Sequence, residues 1–593
     1  MKKCRRTIRT ALAGVWLIGM LAACHFIPKG IRTPFENPND LPRDAEGWTI
    51  FTPSADSRLI YVSGSTGDDN SADYYLLSDP AVGGHPFHPA AVIPFRTYAA
   101  ACALAREGYP DWILFHRGET YDNVRIDLLS GRNEREYALT TCYGSGSLPL
   151  LHPDGESRLI NGLSSNIRYC AVTDLDGYAA AHDPAAYPPG TMPPRCGAGL
   201  DVLTGNGVIH HILFEGVRLR CFEGNVIQSY EQGVVRDITL RRCTVLDNFQ
   251  GDRADGHCQG LFVGGVTGLF IEECVFDHNG WYSQDDGNDT VELPGEATMF
   301  NHNTYIADCG DVTLRNNVFL RSSSIQNKFT ANLGIPDSSP NIALQGNLYV
   351  DGEIGISLGG NVDTAYKFQG MTVTGNVFTE IGRSRPTNRT LGWGLDIADW
   401  DGGIVRDNYF IHNTTAAVDN TYAINISGGT RDVLITDNVI YGQNETGSNP
   451  WGNGIMVDHT FTKENISVRR NIIQEPGFPM VIASFASAED AYNVRFLGNR
   501  YFLPGAAAED PFRIGGDWLS FAQWSSRLHD NSEFAAAAFP DPGRDIAGYQ
   551  ALQGGPATID AFILSCRTQN RDSWNDAYTA QTVTAWLKAG FAH

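Results

Sequence analysis

Between Asp247 and Lys328 the chain carries three histidines, a lysine, an arginine and a tyrosine whose types suit acid–base chemistry on a sugar acid: His257, His278, His302, Tyr305, Arg321 and Lys328. β-Elimination on a uronate needs a base for the proton next to the carboxylate, a cation to neutralise that carboxylate, and an acid for the leaving oxygen. His278, His302, Tyr305, Arg321 and Lys328 supply those types and are the expected catalytic residues. Two assignments stay open. Lys328 is the base, with its pKa lowered by burial or neighbouring cations, or a histidine takes the proton while Lys328 or Arg321 holds the carboxylate. Asp247, His257, Gln259, Asn279, Trp281, Tyr282, Asn303 and Asn327 are the expected substrate-binding residues around them.

Residues this far apart in sequence meet only if the chain returns on itself, and it does so periodically. Ten eight-residue phrases, among them LFIEECVF, VTLRNNVF, IALQGNLY and MTVTGNVF, recur between His211 and Tyr501, with most steps 27 to 33 residues long. Their sixth position is Gly216, Cys243, Cys274 and then Asn317, Asn347, Asn376, Asn408, Asn438, Asn471 and Asn499. Each phrase alternates like a strand and is bounded by Gly, Asn and Asp, and no amphipathic helix fits between successive phrases. Equivalent strands without crossover helices lie parallel only if the chain winds as a coil, each turn about 4.8 Å above the last. The expected fold is all-β, a parallel β-helix, with the repeated Asn in a buried turn where its amide tolerates unusual backbone and bonds its copy one coil away.

Columns follow from that geometry. Four residues past the marker stand Asp247, His278, Arg321, Asp351, Glu380 and His412, a charged column beside the one long step, from Cys274 to Asn317, whose extra residues Gly280 to Met299 are a binding-loop candidate. Aligning the stretches before successive markers groups His257 or Gln259, then His302, Asn303 and Tyr305, then Lys328, within about 10 Å, two coil rises.

The rest of the chain sets bounds. At 593 residues it is longer than an ordinary domain, which a solenoid permits, and its net charge of −23 argues against nucleic acid and anionic membrane surfaces as partners. Lys2, Lys3, Arg5, Arg6 and Arg9 precede an apolar run from Ala11 to Ala23, an export signal. Ten cysteines besides Cys4 and Cys24 leave disulfides open, with Cys170 and Cys196, around a Pro-rich loop, as the expected pair. No CxxC or His/Cys spacing points to zinc. The expected organisation is a signal segment 1–24, a tether 25–57, the β-helix 58–503 with a helix Tyr98–Glu107 over its open end, and a C-terminal cap 504–593.

Two resemblances add to this. Leu21-Ala22-Ala23-Cys24 resembles a bacterial lipobox, which implies lipidation of Cys24 and an exported outer-membrane lipoprotein facing the periplasm or the surface. The GSTGDDN loop, the cap helix, CYGSGSLPLL, the Asn-marked coils and the tail resemble bacterial right-handed β-helix proteins of the pectate-lyase superfamily. That fold hosts several reactions. The stretch Asn317 to Asn332 looks like the region of alginate lyases and chondroitinase B in which a basic residue follows an Asn-marked strand; Lys328 stands where those enzymes show Arg, and His302 and Tyr305 fall where calcium-binding carboxylates are expected. No cofactor is therefore expected to be required. Asp285, Asp286 and Asp289 are the residues that would hold a Ca²⁺ if one binds.

The reading is an exported, monomeric polysaccharide lyase. A glycoside hydrolase would draw its carboxylates from Asp247, Asp255, Asp285, Asp286, Glu292 and Glu296, although Gly256-His257-Cys258 departs from the Gly-His-Gly of polygalacturonases. A C5-epimerase shares the proton abstraction of a lyase. A non-catalytic polysaccharide-binding or export lipoprotein would use Trp281, Tyr282, Trp393 and Trp400 as sugar platforms.

Overall fold

The computed structural model describes residues 32–593 apart from 164–165, 190, 252–256, 285–294, 332–338, 361–367, 414–417, 419, 444–453, 459–461, 476–479, 485–490 and 506–508. Cys24, Asp255, Asp285, Asp286, Asp289 and Glu292 thus lie outside the described residues.

The chain winds as a parallel β-helix with three sheets of 15, 14 and 14 strands. One coil reads Leu261–Gly264 in the third sheet, Val266–Glu272 in the first, Val275–Asp277 in the second, and then His302–Ala307 back in the third. The eight-residue phrase is therefore a first-sheet strand, a two-residue corner and a second-sheet strand. Neighbouring coils pair in register, as in Val275 with Val318 and Tyr305 with Lys328.

The corner explains the marker, with one correction. The left-handed backbone belongs to the residue before it: Asn316, Gly346, Gly375, Asp407, Asp437, Arg470 and Gly498 all have φ between 54° and 73°. Gly, Asn and Asp occur there because they tolerate that conformation. The marker amide does the pairing. Asn408 Nδ2 donates to Asn438 Oδ1 at 3.0 Å and to Val373 O at 2.9 Å, while its own Oδ1 accepts from Asn376; the ladder runs unbroken from Asn317 to Asn499. Inside the coils Phe276, Phe319, Tyr349, Phe378 and Phe410 stack at 4.6 to 5.3 Å.

The N-terminal cap helix is shorter than expected, Tyr98–Cys102, because Arg106 turns back to bond Asp111. Tyr98 and Ala101 still close the core. At the other end a hairpin, Phe512–Ile514 with Asp517–Leu519, and the helix Phe521–Leu528 bury Trp524 against Phe496 and Phe512.

The terminal segments also cover the flanks. Residues near Phe35, Asn39 and Thr49 bond the first sheet through Thr313, Thr239 and Glu215. The helices Ile546–Leu552, Ile559–Arg567 and Ala580–Ala589 bury Leu320, Leu348, Val350, Val377 and Ile411 on the second. Trp48 and Trp574 clasp the two segments together, with Arg242 against both rings. Polar and aromatic side chains gather on the outer face of the third sheet.

The expected Cys170–Cys196 disulfide is overturned: all ten described cysteines are free thiols. Cys170 faces the core from the strand Asn166–Thr173, and burial pushes its thiol up to about 12; the Cys196 thiol turns instead to the carbonyls of Gly197 and Cys221.

Candidate functional site

The expected residues separate into two groups. The first lies at the corner after the second sheet. Asp247, His278, Asp351, Glu380 and His412 all have left-handed φ, from 54° to 66°, so the charged column marks a tight corner. Asp247 Oδ1 meets His278 Nδ1 at 3.0 Å, and Arg321 grips the fully buried Asp277 through two bonds of 3.0 and 2.6 Å. Arg567, from a C-terminal helix, bonds both Asp247 and Asp277. Burial alone would raise Asp247, but the His278 hydrogen bond and the Arg567 charge hold it at about 2. Arg321, expected as catalytic, is thus bonded to Asp277, while His278 and Asp247, expected as catalytic and binding residues, are bonded to each other and, through Asp247, to Arg567 of the tail.

Trp281 packs on His278 with ring centres 4.2 Å apart, and Tyr282 packs on Phe249. The three amides expected to bind substrate turn inward. Asn279 donates to Val245 O and Asn303 Oδ1, Asn303 to Leu320 O, and Asn327 to Thr304 Oγ1, while Tyr349 OH donates to Asn327 at 2.6 Å. Gln259 ties two strands together by donating to Phe300 O and accepting from His302 N. Trp400 is buried in the core with its indole on Leu358 O, so its ring is no open platform, and the half-buried Trp393 stacks on Tyr422 at 5.0 Å. Glu296 is buried beside Ser283.

The second group comes together on the third sheet. Phe262, Tyr305, Lys328, Ser357, Asp396 and Asn425 occupy one register column across successive coils. Lys328 Nζ donates to Ser357 Oγ at 3.1 Å. Burial pushes its ammonium below the ordinary lysine range, and Asp396 pulls it partly back. Burial raises the Asp396 carboxyl, opposed by Lys328 and by hydrogen bonds from Ser427 and Asn425.

His302 sits edge-on to the Tyr305 ring at 5.6 Å and is 4% exposed. Burial, helped by the charges of Lys328, Arg389 and His257, pushes it well below the ordinary histidine range, so it is neutral. Its Nδ1 accepts the Ile325 N–H at 3.3 Å, which leaves the proton on Nε2. The Tyr305 hydroxyl lies 3.4 Å from Thr330 Oγ1. Beneath them Arg389 is bound to the buried Glu353 and to Ser324. At the edge, His257 stacks on Phe300 at 5.0 Å and 16°.

Sequence counting missed Ser357, Asp396 and Phe300. Loops of unequal length on both sides of the third sheet break the count from the Asn marker, so only pairing puts Asp396 in the column of Tyr305. The signal that was available was the alternation of LGWGLDIA, which places Asp396 opposite to Leu395 and Ile397.

No family model and no curated protein matches the chain. Among solved structures it is similar to a GH136 lacto-N-biosidase from Eubacterium ramulus, at 15% identity and TM-score 0.32 over 81% of this chain; the chain covers 66% of that structure, just under two thirds of its length. It is also similar to a mannuronan C-5 epimerase A-module from Azotobacter vinelandii, at 12% identity and TM-score 0.32 over 72% of this chain and 89% of that one. A tailspike protein of E. coli bacteriophage HK620, in complex with a hexasaccharide, shares 11% identity at TM-score 0.40 over 68% and 71% of the two chains. These likenesses concern the fold.

Proposed function

We propose that the third-sheet face around Lys328 is the active site of an exported, lipid-anchored, monomeric enzyme acting on a polysaccharide, and that the reaction is β-elimination at a uronate. The observation that carries the reading is the grouping, on one outward column and its border, of a buried neutral His302, Tyr305 and the half-buried Lys328.

In this scheme the Lys328 ammonium and the His302 Nε2–H meet the uronate carboxylate, which makes the adjacent proton acidic. Tyr305, as phenolate, takes that proton. The C–H electron pair forms the C4–C5 double bond, the C4–oxygen bond breaks, and Tyr305 returns the proton to the departing oxygen. A histidine base is disfavoured because His302 Nδ1 already accepts a backbone N–H. Lys328 stands in for a cation; loss of activity in EDTA would return that role to a metal. An epimerase would share the abstraction and return the proton to the opposite face of C5.

The test is ultraviolet absorbance of the unsaturated uronate during incubation with uronate-containing polysaccharides. Wild type is expected to generate it and Lys328→Ala to lose it. New reducing ends without unsaturation would sink elimination and favour a second reading, a hydrolase in which Asp396, raised by burial, is the acid and its neighbour Asp458 the second carboxylate.

A further inference from the structure

Around Lys328 the third-sheet face is poor in positive charge. Among the described residues, the cations nearest this face are each matched by an acid: Lys328 stands beside Asp396, Arg389 is bonded to the buried Glu353 at 2.6 Å, and Lys463 is bonded to Asp458 at 2.8 Å. Asp396 lies two coils from Lys328 in the same column, and the charge of Asp458 acts on it. On the opposite side of Tyr305 the column continues with Phe262, and the edge of the site carries the exposed Met299 and Phe300, 53% and 45% accessible, with His257 stacked on the Phe300 ring.

A glycan lying along the column meets one coil about every 4.8 Å, close to the length of one sugar unit. A homopolyuronate bound with one carboxylate at Lys328 would bring its next carboxylates against Asp396 on one side and against aromatic and apolar side chains on the other. Like charges repel on the first, and on the second the column continues through Phe262, Val226, Asp201 and Asn161 with no lysine or arginine among the described residues. A neutral sugar suits both flanks, since its hydroxyls can donate to Asp396 and Asn425 and its apolar ring face can rest on Phe300.

Resting on the elimination reading, we infer that the substrate is a heteropolysaccharide in which an isolated uronate is flanked by uncharged sugars, with Lys328 taking the uronate and Asp396 and Phe300 selecting neutral neighbours. These two are specificity residues. The discrimination is negative as well as positive, since Asp396 acts by rejecting a second carboxylate.

The experiment compares kcat/KM for unsaturated-product formation on homopolymers (polymannuronate, polyguluronate, polygalacturonate) and on polymers with spaced uronates (hyaluronan, gellan). Wild type is expected to prefer a spaced polymer by at least about tenfold, and Asp396→Asn to raise kcat/KM on a homopolyuronate by about tenfold. Phe300→Ala is expected to raise KM on the spaced polymer with kcat held. A homopolyuronate turned over as well as, or better than, every spaced polymer overturns the inference and leaves the elimination reading standing. Absence of unsaturated product on all five polymers overturns both.

Discussion

Lys328, Tyr305 and His302 are polar groups that the fold keeps half or fully buried without locking them into ion pairs of their own, whereas Arg321, His278 and Asp247 are locked. On the proposed reading, that difference leaves the first set available to a substrate. Lys328→Ala is expected to lower kcat by about 10³, as loss of a preorganised charge at a developing enolate does, and Tyr305→Phe by about 10² to 10⁴, as loss of the proton carrier does; initial rates check both. Asp247 yields a different prediction. Its pKa is about 2 in the folded state against 3.8 unfolded, so the folded protein binds fewer protons between those values. Its contribution is therefore complete above the unfolded value and lost as pH falls through about 2, a difference worth roughly 2 kcal/mol. The stability gap between wild type and Asp247→Asn in urea titrations should be open at neutral pH and should close on acidification from about pH 4 towards 2.

At the scale of the strand and corner, the marker Asn gives each coil its hold on the next. Asn408 is fully buried and bonds Val373, Asn376 and Asn438. Asn408→Ala leaves the Asn376 amide without its acceptor and the Val373 carbonyl without its donor, an expected cost of about 2 to 4 kcal/mol in the urea midpoint. A column of like residues in a sequence is ambiguous for the same reason. The Asn column is a hydrogen-bonded ladder, but the Asp/His/Glu column four residues on reflects left-handed backbone that these residues tolerate. The period told where residues would stack. It did not separate residues chosen for a corner from residues chosen for a ligand.

At the scale of the whole molecule, both ends of the chain return to cover the solenoid's flanks. Arg567 is one of the long-range ties: it is the second cation on Asp277, a carboxylate with no exposure, and it also holds Asp247. Arg567→Met is expected to destabilise the protein by about 3 kcal/mol, because it leaves buried carboxylates short of positive charge. Its kcat/KM should stay within about twofold of wild type, since the proposed site is on another sheet; a thermal melt and an activity assay together check this.

The coil, its period and the Asn ladder were legible in the amino-acid sequence. They depend on alternation, turn residues and a repeat, all local or periodic signals. The grouping of His302, Tyr305 and Lys328 was legible as well, since one coil separates them. Tertiary structure alone decided that Asn279, Asn303 and Asn327 face inward, that Cys170 and Cys196 stay apart, that Arg567 reaches back to Asp277, and that Asp396 joins Lys328. The reason is physical: side-chain direction at a corner depends on one left-handed residue, and contacts across hundreds of residues depend on which flank the tail packs against, neither of which a periodic pattern encodes.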